Sequence, residues 1–471
     1  MDAVPPPPYV LRRATVPLCV LPEADRAALA SYGDAEECTL LDIAVDAAGR
    51  VAALTPSAAA APAPAGVAEV DLRRGMAVPC FADLHTHIDK GHTWRRSPNA
   101  DGSRDGAFAA ATADAALYTP EELARRVDFS LACAYAYGTS AVRSHVNTAA
   151  AHAHWVWPVM AAARQRWAGR VELQLVGMCV PLSVFDAGGC GDELAALIAR
   201  HGGLLGASLS QLTSAPGDNT TSLARESLQR QAGAHGGARP AGFVATLDAL
   251  FATAKAHDLD IDLHVDENAD DMADALELTC AAAVRFGWQG RVTAGHCCAL
   301  ALLPQEARCR AIAAAAAARV TVVSLPTVNM YLQDRVAGRT PRWRGVTLLH
   351  ELRAGGVRVC VASDNTRDAF HAYGDLDMLD TFCAAVRIAH LDHPHASWLA
   401  AATAAPAEAR GLGDRHGRIA VGRVADVVLL RARCFNEMVA RSQHDRVVLR
   451  AGAPLGLKPP PYEQLDDITR R

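Results

Sequence analysis

A chain of 471 residues with 51% hydrophobic content can bury a large core, which excludes a disordered or fibrous protein and leaves room for one big domain plus a smaller one. Its 46 basic and 51 acidic residues leave a net charge of −5 with no basic stripe, so nucleic acid is not expected as a partner and a small molecule is. No apolar run is long enough for a membrane span, and 13 cysteines without one CxxC pair fit reduced thiols in a cytoplasmic enzyme better than a disulfide framework or a thiolate zinc site.

The chain opens on MDAVPPPPYVLRR, which has prolines but not the charged-then-apolar order of a secretory signal. β-like runs follow at 38–45 (CTLLDIAV) and 50–56 (RVAALTP), then the Ala/Pro linker SAAAAPAPAG at 57–66. Residues 1–75 are therefore expected to form part of a small β domain. From Met76 the pattern changes. Eight apolar β-rich runs, each followed by a helical pattern, are AVPCFADLH, SAVRSH, VELQLVGM, GLLGASLS, LDIDLHV, GRVTAGH, RVTVVSL and GVRVCVASD. One helix is announced at 119–138, where Thr119 can cap, Pro120 takes the first helical position and Glu122 completes a capping box. The Ala-rich run from 311 is another. Strands that read as continuous apolar runs and alternate with helices predict a (β/α)8 TIM-type barrel over 76–414. The β pattern returns in GRIAVGRVADVVLLRA and DRVVLRAGAPL, so 415–471 is expected to complete, with 1–75, a small β-sandwich domain made by both termini.

In such a barrel the active site lies at the C-terminal ends of the strands. His85 and His87 close the first run, His145 the second, His264 the fifth, His296 the sixth and Asp364 the eighth. A period of two puts His85 and His87 on one face of their strand, so both can point into the barrel mouth. Such a pair offers two nitrogens to one metal, and a third imidazole and a carboxylate from distant strands would complete an N3O site open to water. HTH, HVDE, TAGH and ASDN each close a predicted strand, and this coincidence separates them from isolated packing histidines. His145 is read as a supporting or packing residue, and His92 as either loop surface or mouth lining. His152 and His154 fall on a helical pattern, where their spacing splays the rings about 200° apart, so they are discounted as ligands. Adjacent Cys297 and Cys298 are read as core packing.

From about Val78 to Asp380 the sequence resembles the amidohydrolase superfamily, in its cytosine deaminase branch. HTHIDK resembles the family's strand-1 HxHxD run, RSHVN its RTHVD, HVDE its HCDE and VASDN its strand-8 HDD. The segment PTVNMYLQDRVAGRTPRWRGV at 326–346 is similar to PLVNIHLQGR…RRG after strand 7. The resemblance implies that His85, His87, His264 and Asp364 are metal ligands, that Glu267 shuttles protons and that His296 orients the hydrolytic water. Two-metal members bridge their ions with a carboxylated lysine on strand 4. Here the lysines are Lys90, Lys255 and Lys458, none of them in GLLGASLS, so one divalent ion per chain is expected. N3O ligation does not separate zinc, iron(II) and manganese. The smaller zinc deaminase fold, with H-x-E and P-C-x-x-C, is excluded by the lack of CxxC.

The family's chemistry is hydrolytic replacement of an exocyclic amine by oxygen. A metal-activated water attacks the amino-bearing carbon, Glu267 carries its proton to the ring nitrogen, His296 donates to the attacking oxygen and Asp364 passes a second proton to the amine. The departures from the family pattern concern substrate. Leu182 follows Pro181 where cytosine deaminases carry a reading glutamine, and Asn365 and Phe370 replace an aspartate and a tryptophan ceiling. Asn329 or Gln333 is then expected to read the substrate, and Lys90 or Arg96 to meet an anionic substituent. The expected function is deamination of a cytosine-like amino-heterocycle, extending to a larger ring such as a pterin. The alternatives are a cyclic-amide or N-alkylamine hydrolase with the same centre, or a barrel decayed into a binding module. An assembly of identical chains is compatible with the sequence and not specified by it.

Overall fold

The computed structural model describes residues 4–148, 150–209 and 242–469. Its strands are β1 (Tyr9–Pro17), β2 (Cys38–Val45), β3 (Val51–Pro56), β4 (Ala68–Asp71) and β5 (Met76–Pro79), followed by the barrel strands β6 (Phe81–Thr86), β7 (Thr139–Asn147), β8 (Glu172–Cys179), β9 (Leu204–Ser208), β10 (Ile261–Val265), β11 (Val292–His296), β12 (Thr321–Ser324) and β13 (Arg358–Val361). The last three are β14 (Val427–Leu430), β15 (Val447–Arg450) and β16 (Ala453–Pro454).

Strands β6 to β13 are hydrogen-bonded in sequence order. The ring closes where Thr86 bridges Asp364 in parallel and the Asp364 amide donates to the His85 carbonyl at 2.9 Å. This is the expected (β/α)8 barrel. Strands β6, β9, β10, β11 and β12 are buried along their whole length, which is why they read as unbroken apolar runs rather than alternating ones. The expected β domain is a second sheet drawn from both chain ends, in the order β16-β15-β14-β5-β1-β2-β3, with β4 pairing β1. Among the described residues no helix is long and apolar enough to cross a membrane.

By compactness the chain divides into one unit of Met1–Leu84, Ala132–Val142 and Leu376–Pro460 and another of His85–Leu131, Arg143–Asp375 and Pro461–Arg471. Every candidate site residue lies in the second unit.

Three local expectations are corrected. The run 77–85 is two strands: Met76–Pro79 pairs with β14 and β1 in the terminal sheet, and Phe81–Thr86 opens the barrel. Both halves are buried, so no change of composition marks the switch at Cys80. Strand β1 was not expected at all, because Arg12 and Arg13 interrupt its apolar pattern. The pairing with β2 shifts register between Leu11 and Ala14, while Arg12 stays paired with Asp71 of β4 and its side chain binds Asp42 at 2.6 Å. Thr119 does cap its helix, accepting from the Glu122 amide at 3.2 Å, but the Glu122 carboxylate binds Arg126 and Arg96 instead of closing a capping box.

Candidate active site

Period-two alternation builds the floor of the site. On β7 it places Arg143 two residues below His145, and on β10 it places Asp262 two below His264. Inside the barrel Arg143 donates to Asp262 at 2.7 Å, to Thr293 Oγ1 at 3.1 Å and to Gln174 at 2.8 Å. Burial pushes the Asp262 carboxyl up to about 6, against the pull of the Arg143 guanidinium.

Above this layer the histidines converge. His87 Nε2 lies 3.2 Å from His264 Nε2 and 3.3 Å from Asp364 Oδ1, and His85 Nε2 lies 3.7 Å from the same oxygen. Ligand atoms about 2.0–2.1 Å from a tetrahedral ion stand about 3.3 Å apart, so this spacing fits a divalent cation held between them. Burial, reinforced by neighbouring positive charge, holds His85, His87, His145 and His264 well below the ordinary imidazole value, in the neutral form that ligates metal.

The ring nitrogens of His85 are assigned by what they face. Nε2 points at Asp364, while Nδ1 lies 3.1 Å from His145 Nε2, and His145 lies 3.6 Å from Asp262 Oδ1. His145 thus links the buried Arg143–Asp262 pair to His85 and fixes the rotation of that ring. His145→Ala is expected to weaken metal affinity by about 10- to 100-fold, measured by competition with a chelator. Unchanged affinity would make His145 simple packing.

Gly295 supports the same ring from β11. A Cβ there would lie 3.0 Å from His85 Cε1 and Nδ1, so glycine leaves the space the imidazole occupies. With residue 295 facing inward, strict alternation would turn His296 away. Its φ of 71° breaks the alternation, and its ring comes within 4.9 Å of the His264 ring, centroid to centroid. Asn329 Nδ2 lies 2.8 Å from His296 Nδ1. Nδ1 thus faces both the Asn329 amide and, at 3.5 Å, Glu267 Oε1, and its partners hold the ring from that side. Buried Nε2 has no hydrogen-bond partner among the described residues and is the ring nitrogen left open to an incoming oxygen. Glu267 Oε1 lies 3.5 Å from the same ring.

The residues expected to contact substrate are placed less uniformly. Asn329 is fully buried on helix Pro326–Leu332, its NH2 engaged by His296. Gln333 follows that helix and is buried. Asn365 donates its NH2 to Asp368 at 2.6 Å, within its own loop. Phe370 is partly exposed, meets the edge of Phe108 with centroids 5.0 Å apart and carries Lys90 Nζ 4.4 Å from its ring centre. Leu182 is buried and opens the turn Leu182–Phe185 just after β8, in which Phe185 is buried and Ser183 exposed.

Arg96 has no charge to offer an anionic substrate, because Asp114 and Glu122 bind it at 2.6 and 2.8 Å. His92 is not loop surface: it is buried against the Phe129 ring, and burial pushes its pKa down to about 3. His152 and His154 stand exposed on helix Ala150–Trp167, and Cys297 and Cys298 are buried.

Sequence reasoning missed Arg143, Asp262 and Arg104. The first two carry a signal, since each sits two residues before a histidine already singled out. Arg104, whose Nη2 lies 3.4 Å from Glu267 Oε2, carries none.

Comparison with known proteins gives the family. A model of the amidohydrolase family matches residues 103–452. The chain is 41% identical over 461 residues to the pterin deaminase of Rhizobium rhizogenes, covering 98% of this chain and 96% of that one. It is 25% identical over 375 residues to the N-isopropylammelide isopropyl amidohydrolase of a Pseudomonas species, covering 77% and 82% of the two chains. Among solved structures, the 5-methylcytosine deaminase of Klebsiella pneumoniae liganded with phosphonocytosine shares the fold at a TM-score of 0.73 and 24% identity, over 96% of this chain and 98% of that one.

Proposed function

The chain belongs to the amidohydrolase family, and from that premise we propose that it is a metal-dependent deaminase acting on an amino-heterocycle of pterin type. The observation that carries this reading is the 41% identity to a pterin deaminase along nearly the whole chain. It is supported by the convergence of His85, His87 and Asp364, whose ligand atoms lie within 4.8 Å of one another, and by His264 Nε2 at 3.2 Å from His87 Nε2. The reaction adds water to the carbon of an N=C–NH2 unit and releases ammonia, leaving a carbonyl.

His85, His87, His264 and Asp364 would hold a divalent ion, whose chemistry would be to lower the pKa of water from about 15.7 to about 7. Glu267 takes the water's proton and delivers it to the ring nitrogen as the carbon–oxygen bond forms. His296 donates from Nε2 to the oxygen, where charge develops. Asp364 passes the remaining proton to the amine as the carbon–nitrogen bond breaks. One ion per chain is proposed, zinc or iron(II), because β9 carries no lysine to bridge a second. The thirteen cysteines are free thiols, in keeping with a cytoplasmic enzyme.

The substrate-facing departures favour a fused ring over a single one. A leucine at 182 selects by shape, whereas a site built to hydrogen-bond an amide edge rejects whatever leaves that bond unmade. A phenyl ring at 370 in place of an indole leaves lateral room. Pterin is therefore expected to be turned over with kcat/KM at least about tenfold above cytosine, on the modest scale of shape discrimination. Ammonia release from pterin, guanine, isocytosine and cytosine measured side by side tests this, and a tenfold preference for cytosine refutes it. The similarity to an N-isopropylammelide hydrolase supports a second reading, cleavage of an N-alkylamine at the same centre. Release of alkylamine rather than ammonia would establish it.

A further inference from the structure

The excursion between β6 and helix Arg104–Ala115 ends in a turn built to hold its next residue still. Asn99 accepts from the Gly102 amide at 3.0 Å and donates to the Ser103 carbonyl at 2.8 Å. Asp101 accepts from the Ser103 amide at 2.8 Å, and the Ser103 hydroxyl caps the helix through the Gly106 amide at 2.9 Å. A side chain at Gly106 would strike Asp101 and Asn99 at 2.3 and 2.6 Å, so this tight arrangement requires glycine. Asn99 also donates to the Ala369 carbonyl at 3.1 Å, tying the turn to the loop that carries Phe370.

Arg104 is the first residue of that helix. Its guanidinium lies 5.5 Å from the centre of the Phe108 ring, which in turn meets Phe370. Its Nη2 reaches Glu267 Oε2 at 3.4 Å, while the other carboxylate oxygen, Oε1, faces His296 at 3.5 Å. The two ends of the carboxylate are therefore addressed from two different elements, the start of helix Arg104–Ala115 and the end of β11. Both distances are long for hydrogen bonds, as contacts of catalytic groups commonly are before substrate closes the site.

We propose that Arg104 is the positioning residue for Glu267, anchoring Oε2 so that Oε1 faces the reacting water and ring nitrogen. This rests on the reading of Glu267 as the proton carrier. A carboxylate rotating freely about its last torsion offers either oxygen in many directions, and a small misplacement of a catalytic group can cost up to about 10² in rate. The guanidinium removes that freedom without touching substrate.

The test uses Arg104→Met, which keeps the stem over Phe108, with pterin as the probe. Expected are a kcat at least about tenfold lower, a KM within about threefold of wild type and unchanged metal content. Added guanidinium at non-denaturing concentration should restore part of the kcat of Arg104→Ala and do nothing for Glu267→Gln. In a Glu267→Gln background Arg104→Met should cost little more. Normal kcat in Arg104→Met, a rise in KM alone, or a full additional loss in the Glu267→Gln background would each overturn the proposal. Wild-type turnover in Glu267→Gln alone would overturn both the proposal and the reading beneath it, whereas failure confined to the Arg104 variants would leave that reading standing.

Discussion

Glu267→Gln is expected to lower kcat by at least about 10² while the protein keeps its metal and its fold. The amide preserves the shape and loses the function: it cannot accept the proton of water, nor return one to a ring nitrogen. Metal content should not change, because Glu267 stands at His296 and Arg104 and outside the set of ligand atoms that converge on Asp364 Oδ1. Single-turnover measurements with pterin should show slow chemistry with binding retained. Turnover near wild type would reduce Glu267 to an ordinary acid in the segment DENADDMAD.

His264→Ala should have the other large effect, loss of the metal together with activity. Wild-type protein is expected to hold close to one divalent ion per chain, and removing one of the four proposed ligands would leave two imidazoles and a carboxylate. Outer-shell partners alone are worth about 10- to 100-fold in affinity, so a lost ligand should cost more. The readout is metal per chain after dialysis against a weak chelator, with thermal unfolding to show that the barrel persists. Full retention in His264→Ala would mean that the ion sits elsewhere, and two tightly bound ions in the wild type would overturn the single-ion centre.

The barrel and the ends of its strands were legible because two strong regularities coincide there. Parallel strands buried on both faces read as apolar runs, and chemistry placed at their C-terminal ends puts polar residues at the end of each run. HTH, HVDE, TAGH and ASDN obey both rules, and the structure brings His85, His87, His264, His296 and Asp364 together. His296 arrives by a route the period-two rule does not describe, since its left-handed backbone re-aims it. Arg143 and Asp262 were legible in principle, being in step with His145 and His264, but a charged pair inside a barrel is found only by asking what each inward position meets. Arg104 was not legible, because no linear pattern says where a long loop returns to the mouth. The same limit hid the sheet switch at Cys80, which is a choice of partner strand made between two runs of equal hydrophobicity.

Gly295 separates two kinds of selection that usually act together. An alanine there presses on the His85 ring, at a contact where the neighbour must yield by a few tenths of an ångström, meets the Leu263 carbonyl at an ordinary 3.5 Å, and removes no core atom. In a library screened for expression or heat resistance, Gly295→Ala should pass, and alanine's lower chain entropy when unfolded could even favour it. In a library screened for turnover it should fail, because a tilted His85 misdirects the nitrogen aimed at Asp364. Engineering campaigns that rank this scaffold by melting temperature would therefore enrich for silent enzymes at this position, and the two rankings should diverge most sharply where a residue's contribution is an empty volume.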